Sequence, residues 1–311
     1  MIPVITNAAF DELVAPLRGE LHAHCYRMLG SIHDADDALQ DALLDAWRGF
    51  ATLENRSSFR AWLYKIATHA SLAVIAKRPK RISTSDYGPA ATGTDLAASL
   101  LEPLWIEPYP DDPQMQYEQR ESIELAFIAA LQFLPATQRA VLLLRDVLGF
   151  SAEETARLLE TTVASITSAL QRGRAQVADR IPARSQQATL RELGEPAERA
   201  LVAAYVDAWG RGDVDAILSM LSRDAKFTMP PIPTWFVGHE SLARFFTERI
   251  FATGWRLVPM RANGQLAFAC YQGPDFRLGA LQLVTLRDRA IVELTGFLDP
   301  AIHRRFLLAE R

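Results

Sequence analysis

Hydrophobic residues recur at three- and four-residue steps between Asp34 and Phe50, a spacing that predicts an amphipathic helix. One side of this helix is apolar and carries Leu39, Leu43, Ala46 and Phe50. The other side is acidic and carries Asp34, Asp37, Asp41 and Asp45. A carboxylate face repels the phosphates of DNA, so we expect it to dock on a protein.

A second helical pattern, from Leu134 to Val177, predicts a helix-turn-helix. Pro135 suits a first helical turn, Ser151 and Glu154 form a capping box for the next helix, and Thr162 is expected to cap the last one. In that last helix, the residues expected to face the core of the domain are Val163, Ile166, Leu170 and Val177. A plain helical hairpin has similar apolar spacing, so the pattern alone is only moderately specific.

The pattern changes again after Pro196, where a separate domain is expected to begin. Three helices are predicted. Leu201, Tyr205 and Trp209 share one face of the first, and the other two cover residues 214–221 and 239–251. Four strands follow at residues 256–261, 265–272, 277–286 and 290–298, with hairpin turns at residues 263–264 and 287–289. Helices followed by an antiparallel sheet predict an α+β domain.

A basic, aromatic segment follows the acidic helix directly. It contains Arg56, Arg60, Lys65, Lys77, Arg78, Lys80 and Arg81, interleaved with Phe59, Trp62 and Tyr64, and no carboxylate. Cations that neutralise phosphates, beside rings on which bases stack, are what single-stranded nucleic acid requires. The alternative is an ordinary packed helix with solvated charges, and we accept it for Leu63 and Ile66.

Residues 82–119 predict an acidic, extended linker, because they carry seven carboxylates and no lysine or arginine and are interrupted by proline and glycine. Leu104, Trp105, Ile106 and Tyr109 are too apolar for a pure spacer, so we expect a short anchored segment there.

Whole-chain properties narrow the class of protein further. A length of 311 residues suggests two or three domains, and the net charge of −4 conceals strong local segregation of charge. The two cysteines fall in different predicted domains, which argues against a disulfide framework and fits a cytoplasmic protein. No apolar run is long enough for a membrane span, no export signal is visible, and no spacing indicates a metal site, a phosphate loop or a cofactor.

Two strings connect these patterns to a family. DADDALQDALLDAWRGF, followed by SSFRAWLYKIATHASL, resembles region two of extracytoplasmic-function (ECF) RNA polymerase sigma factors. Residues 134–177, with the run VASITSALQRGR, resemble region four, although Glu160, Thr161 and Thr162 occupy a turn where glycine is common. The elements after Pro196 resemble the SnoaL-like cone-shaped fold.

The resemblance implies a multidomain protein with two all-α domains, a region 2 helical bundle and a region 4 helix-turn-helix, and a C-terminal α+β SnoaL-like domain. The expected divisions are a region 2 domain at 1–81, the acidic linker at 82–119, a region 4 domain at 120–184, a second linker at 185–195 and the SnoaL-like domain at 196–311.

The resemblance also implies partners and site residues. Core RNA polymerase would be bound through its β′ clamp helices and β flap, and the residues expected to dock on the clamp are Asp36, Asp37, Gln40, Asp41, Leu44 and Trp47. Those expected at the minus-ten promoter element are Phe50, Asn55, Arg56, Ser57, Phe59, Arg60, Trp62, Lys65, His69, Lys77, Arg78 and Lys80. Those expected at the minus-thirty-five element are Ser165, Thr167, Ser168, Gln171, Arg172 and Arg174. We further hypothesise that the acidic linker enters a basic channel of the polymerase.

Two other functions stay open. A one-component regulator would use the helix-turn-helix for DNA and the C-terminal domain as a ligand sensor, but it leaves residues 34–81 without a purpose. An isomerase or cyclase would need a buried acid, for which Asp207, Glu293 and His239 are the candidates. We expect no catalytic activity. A ring-lined pocket at Trp235, Phe236, Trp255 and Phe268, or an anti-sigma protein, would offer a regulatory contact.

Overall fold

The computed structural model describes residues 7–51, 59–100, 104–111 and 123–306. The chain forms two compact units. The first comprises Met1–Arg81 and Ala126–Ile181, and the second comprises Ile82–Leu125 and Pro182–Arg311. No helix in the described part of the chain is both long and apolar enough to cross a bilayer.

The first half of unit one is a helical bundle. Its helices are α1 (Asn7–Val14), α2 (Arg18–Leu29), α3 (Ile32–Phe50) and α4 (Phe59–Ile75). Gly30, at φ 67°, ends α2 in the left-handed region, and the Ser31 side chain then caps α3 by accepting from the Asp34 amide at 3.1 Å. The bundle core contains the fully buried rings of Tyr26 and Tyr64. The acidic amphipathic helix predicted from the sequence is therefore confirmed as α3.

The second half of unit one contains the predicted helix-turn-helix. The elements are α5 (Leu125–Gln132), α6 (Ala136–Leu142) with a π-helical turn (Leu143–Val147), α7 (Ala152–Leu158) and α8 (Val163–Ala178). The capping box is confirmed, since Ser151 and Glu154 each accept a hydrogen bond from the other's amide. The Thr162 cap is also confirmed, at 3.2 Å from the Ser165 amide. The inward position expected for Val163 is wrong, because its side chain is 39% exposed.

Unit two is built on a six-stranded sheet, in the order β2-β1-β6-β5-β4-β3. Its strands are β1 (Leu221–Met229), β2 (Ile232–Val237), β3 (Trp255–Ala262), β4 (Gln265–Gln272), β5 (Arg277–Arg287) and β6 (Ala290–Phe297). Its helices are α9 (Gln186–Leu193), α10 (Glu195–Arg211), α11 (Val214–Met220), α12 (His239–Glu248) and α13 (Pro300–Arg305). The four predicted strands are confirmed, whereas β1 and β2 were not predicted. The sheet is mixed rather than antiparallel, because β1 pairs with β6 in parallel.

The two faces of the sheet bury different cores. One core joins rings from α10 and α12 to the sheet and contains Tyr205, Trp209, Phe227, Phe236, Phe245, Phe246 and Phe268. A smaller cluster contains Leu281, Leu283, Phe297 and Ile302. The rings of Phe236 and Phe268 are thus part of the buried core, and Trp255 packs against the same cluster. Trp235 neighbours Phe236 on a strand, so its side chain lies on the other face. The four rings do not line one common pocket.

Residues 82–100 and 104–111 belong to unit two and pack within it. Trp105, Ile106 and Tyr109 are buried, as the predicted anchored segment requires. The backbone of Tyr109 exchanges hydrogen bonds with Asn263, the amide donating to Oδ1 at 2.7 Å and the carbonyl accepting at 2.8 Å. The expected second linker, residues 185–195, is also ordered, because α9 occupies it and Gln186 exchanges two hydrogen bonds with the Leu286 backbone at 2.8 Å.

Candidate nucleic-acid and protein interfaces

The exposed face of α3 combines carboxylates with apolar side chains. Asp37, Gln40 and Asp41 are exposed, and Leu44 and Trp47 beside them are 48% and 38% exposed. These five side chains follow helical steps, so they form one continuous stripe, which we call the α3 stripe. An exposed leucine and an exposed tryptophan in one patch are typical of a protein interface.

Asp34, predicted on the acidic face, and Asp36, predicted to dock on the polymerase clamp, have other contacts in the structure. Asp36 accepts a hydrogen bond from His22 Nε2 at 3.1 Å, at the margin of the stripe. Asp34 is buried and pairs with Arg81, at 2.6 Å from Nη2, and with Arg78. Asp34 therefore fixes the fold of unit one and does not belong to an exposed face, which corrects the sequence interpretation at that position.

The aromatic residues at the end of α3 and the start of α4 form a core. Phe50 and Phe59 are buried, and their ring centroids lie 5.7 Å apart and 5.2 and 6.4 Å from Phe10. Direct base stacking on Phe50 or Phe59 would require this cluster to open. Trp62 remains partly exposed, with its ring 5.9 Å from Phe59. Asn55, Arg56 and Ser57 lie outside the described residues.

The cations of α4 have protein partners. Arg60 pairs with Glu20 at 3.0 Å and stacks on Tyr64, and Lys65 pairs with Glu160 at 2.8 Å. His69 Nε2 lies 3.1 Å from the Leu158 carbonyl oxygen.

The cations that follow α4 differ in how they are engaged. Lys80 lies over the Phe133 ring at 3.3 Å, and Arg78 is bound to Asp34. Lys77 is exposed. The Arg60 and Lys65 pairs on α4 are solvent-exposed and weak, so phosphates can compete with them, whereas Arg78 pairs with a buried carboxylate.

Helix α8 presents its polar face outward. All six residues predicted to contact the minus-thirty-five element are exposed. Three of them bond within the protein: Ser165 with Thr162 at 2.9 Å, Thr167 with the Val163 carbonyl at 3.0 Å, and Arg174 with Asp146 through two bonds of 2.8 and 2.6 Å. Hydrogen bonding to Asp146 raises the pKa of Arg174 above its usual value. Ser168, Gln171 and Arg172 complete the exposed polar face of α8.

Glu160 has a structural role that was not predicted from the sequence. This residue adopts a left-handed backbone, with φ 54°, at the turn between α7 and α8. Its carboxylate accepts a hydrogen bond from Lys65, which holds its pKa below the ordinary value. The missing glycine in the turn was the available signal, since some residue had to adopt that conformation.

The three candidate acids of the C-terminal domain do not form one site. Asp207 pairs with Arg211 at 2.7 Å on the surface, and His239 Nε2 lies 3.2 Å from the Leu221 carbonyl. Burial raises the pKa of Glu293, but this residue precedes Leu294 of the aromatic core on a strand, so its side chain lies on the opposite face. The described residues contain no cluster of three or more His, Cys, Asp or Glu side chains suited to a metal.

Comparison with known proteins covers most of the chain. Family models for Sigma-70 region 2, Sigma-70 region 4 and the SnoaL-like domain match residues 13–81, 124–177 and 202–294. The ECF RNA polymerase sigma factor SigG of Mycobacterium tuberculosis is 34% identical over 313 residues, covering 97% of this chain and 84% of that protein. SigJ of the same organism is 28% identical over 212 residues, covering 68% of this chain and 62% of that protein.

A solved structure has the same overall fold. The crystal structure of the M. tuberculosis extracytoplasmic function sigma factor SigJ matches with a TM-score of 0.61 at 21% identity, covering 94% of this chain and 98% of that one.

Proposed function

Because the chain belongs to the ECF RNA polymerase sigma factors, we propose that the α3 stripe is its docking surface for core polymerase. Members of this family bind core polymerase and promoter DNA and initiate transcription, and this chain does the same. The observation that carries the residue-level proposal is the exposure of Leu44 and Trp47 on the same helical stripe as the exposed carboxylates Asp37 and Asp41. The carboxylates would steer the approach to a basic partner, and the two apolar side chains would bury against it. The β′ clamp helices are the expected partner.

Promoter melting is assigned to the surface of α4 and the segments beside it. Trp62 offers a partly exposed ring for an unstacked base. Arg60, Lys65 and His69 on the same helix, and Lys77 just after its end, would supply donors and positive charge for phosphates. Phe50 and Phe59 support this surface from the core rather than stacking on DNA. The predicted contacts of Asn55, Arg56 and Ser57 remain part of the proposal.

The duplex minus-thirty-five element is assigned to α8. Ser168, Gln171 and Arg172 would read base edges in the major groove, while Ser165 and Thr167 would contact the backbone. The β flap is the proposed partner of the same domain on the polymerase.

The C-terminal domain is proposed to regulate activity without catalysing a reaction. Its aromatic core is filled by side chains, and it holds the acidic linker by specific bonds: Arg249 to Asp95 at 2.7 Å and the Gly264 amide to Asp111 at 2.7 Å. If the linker enters a basic channel of the polymerase, the C-terminal domain and the polymerase compete for the same carboxylates. Because its proposed partner is RNA polymerase, we infer that the chain acts in the cytoplasm.

Reconstitution with core RNA polymerase tests the assignment. The purified chain is expected to direct transcription from discrete starts that core polymerase alone does not use, and sequencing of transcript ends would locate both promoter elements. Specific binding to duplex DNA without polymerase, together with no effect on transcript starts, would contradict it.

A further inference from the structure

Unit one contains a cavity of about 350 Å³ that the proposed function does not use. One wall is formed by Val74 and Ile75 at the end of α4 and by residues 78–81 after it, and residues 132–136 form the other. Leu29, Asp34 and Arg139 complete it. The volume falls at the lower end of the range of small-molecule sites.

The lining is strongly cationic. Arg78, Lys80, Arg81 and Arg139 are opposed by a single carboxylate, Asp34. Asp34 already pairs with both Arg78 and Arg81. Among the residues that line the cavity, four cations therefore face one carboxylate.

Arg139 is the decisive residue, because it is a buried cation without a carboxylate partner. Its side chain is 4% exposed. It donates to uncharged oxygens only, namely Gln132 Oε1 at 2.6 Å and the carbonyls of Gln132, Leu134 and Met28. Its Nε is buried with no hydrogen-bond partner. Burial lowers the pKa of Arg139 to about 10. A guanidinium taken out of water without a counter-ion is costly, and an anion in the cavity would relieve that cost.

A second feature favours a compact ligand over a polymer. Phe133 is stacked by Lys80 at 3.3 Å and by Arg180 at 3.9 Å, which holds Lys80 in a defined position beside the cavity. One exposed and one buried cation can be reached together by a small multiply charged anion. A continuous DNA backbone would reach the exposed lysine more easily than the buried arginine.

We propose that this cavity binds a small diphosphate-type anion, either free pyrophosphate or the diphosphate group of a nucleotide, between Lys80 and Arg139. Diphosphate oxygens make strong charge-assisted hydrogen bonds with both types of side chain. The lining comes from the region 2 match, residues 13–81, and the region 4 match, residues 124–177. A bound anion would therefore tie the two sigma regions together and oppose their engagement with polymerase. That consequence rests on the proposed function, whereas the binding itself does not.

The test is a calorimetric titration of the full chain with sodium pyrophosphate, against sodium chloride at matched ionic strength. Gln132→Glu keeps the side-chain shape and gives Arg139 an internal carboxylate, so it should fold normally and weaken pyrophosphate binding by roughly tenfold or more. Lys80→Gln should weaken it similarly. Lys77→Gln, an exposed cation outside the cavity, is the matched control and should change the Kd by less than about twofold. Circular dichroism and thermal melting check that each variant is folded.

Three outcomes would overturn the proposal. The first is the absence of saturable binding. The second is an equal loss in Lys77→Gln, which would indicate diffuse attraction only. The third is found by titrating single-stranded DNA: if Gln132→Glu weakens DNA binding and leaves pyrophosphate binding intact, the cavity serves DNA phosphates. A nucleoside diphosphate, titrated in parallel, distinguishes free pyrophosphate from a nucleotide as the natural ligand.

Discussion

Arg81 donates hydrogen bonds to Asp34 through Nε at 3.2 Å and Nη2 at 2.6 Å, and both side chains are buried. The two residues are 47 positions apart, at the start of the acidic helix and at the end of the basic segment. The ion pair fixes the end of one segment against the other. It therefore removes one carboxylate and one cation from the surfaces proposed to bind polymerase and DNA.

Breaking this pair from one side is expected to destabilise unit one. Arg81→Met leaves Asp34 buried with only the more exposed Arg78, and the expected loss is about 3–5 kcal/mol of unfolding free energy. Asp34→Leu combined with Arg81→Met should cost clearly less than the sum of the single changes. Asp45→Ala, which breaks an exposed pair with Arg48, should cost no more than about 0.5 kcal/mol. Urea denaturation of the full chain measures the unfolding free energy of Asp34→Leu, Arg81→Met, the double variant and Asp45→Ala. If the costs of Asp34→Leu and Arg81→Met simply add in the double variant, the pairing is contradicted.

Acid sensitivity is expected from His24. Burial lowers the pKa of this side chain to about 3 from 6.5, and its Nε2 lies 2.9 Å from Thr68 Oγ1. The folded state keeps His24 neutral, while the unfolded chain takes up a proton below pH 6.5. Stability should therefore fall as the pH drops from 6.5 towards 3, by roughly 1.4 kcal/mol per pH unit from this group. The unfolding free energy, measured by denaturation at pH 7.5 and pH 5, should fall less in His24→Gln than in the wild-type chain. An identical fall in the two proteins would contradict the role of His24.

The two exposed arginines of α8 should differ in their effect on transcription. Arg172→Ala is expected to lower promoter affinity by roughly 5- to 150-fold, the range for one base contact of 1–3 kcal/mol. Arg174→Ala should have a smaller effect, because Asp146 already engages that guanidinium. The two variants are compared by transcription from the same promoter, with their binding to core polymerase measured separately. Equal loss of core binding and of transcription in Arg172→Ala would contradict its role in reading DNA.

Removing the Trp105 side chain should release the acidic linker from the C-terminal domain. Trp105 is buried, whereas Leu96 in the same segment is 41% exposed, so Leu96→Ala is the matched control. Loss of a buried aromatic side chain costs about 3–5 kcal/mol locally. Hydrogen exchange should therefore accelerate in peptides covering residues 82–100 in Trp105→Ala and change little in Leu96→Ala. Equal protection in both variants would show that Trp105 does not anchor the linker.

Local signals in the sequence predicted local structure well. Ser151 with Glu154, and Thr162, act within one helical turn, so their caps could be predicted without the fold. Pairing between distant positions could not: Asp34 looks like part of an exposed face until Arg81 is placed beside it. Phe50 likewise looks available to DNA until Phe10 and Phe59 pack on it.

Strand β1 was missed for a related physical reason. Ser222, Arg223 and Asp224 break the apolar alternation where the strand begins, and one of its two pairing partners, β6, lies about 70 residues later, beyond the reach of a local pattern. The contacts of the acidic linker could not be predicted, because its binding surface belongs to the C-terminal domain.

The most direct test of the account is the affinity of core RNA polymerase for a chain with Asp37→Lys and Asp41→Lys. Both side chains are exposed, so the fold should be retained, and the reversed charges would oppose a basic partner. The control is Asp215→Lys with Asp275→Lys, the same charge change on exposed residues of the C-terminal domain.

The account predicts that core affinity falls by about tenfold or more in the α3 variant and stays near the wild-type value in the control. Unchanged core affinity in the α3 variant, with both proteins folded, would contradict the assignment of this face to the polymerase.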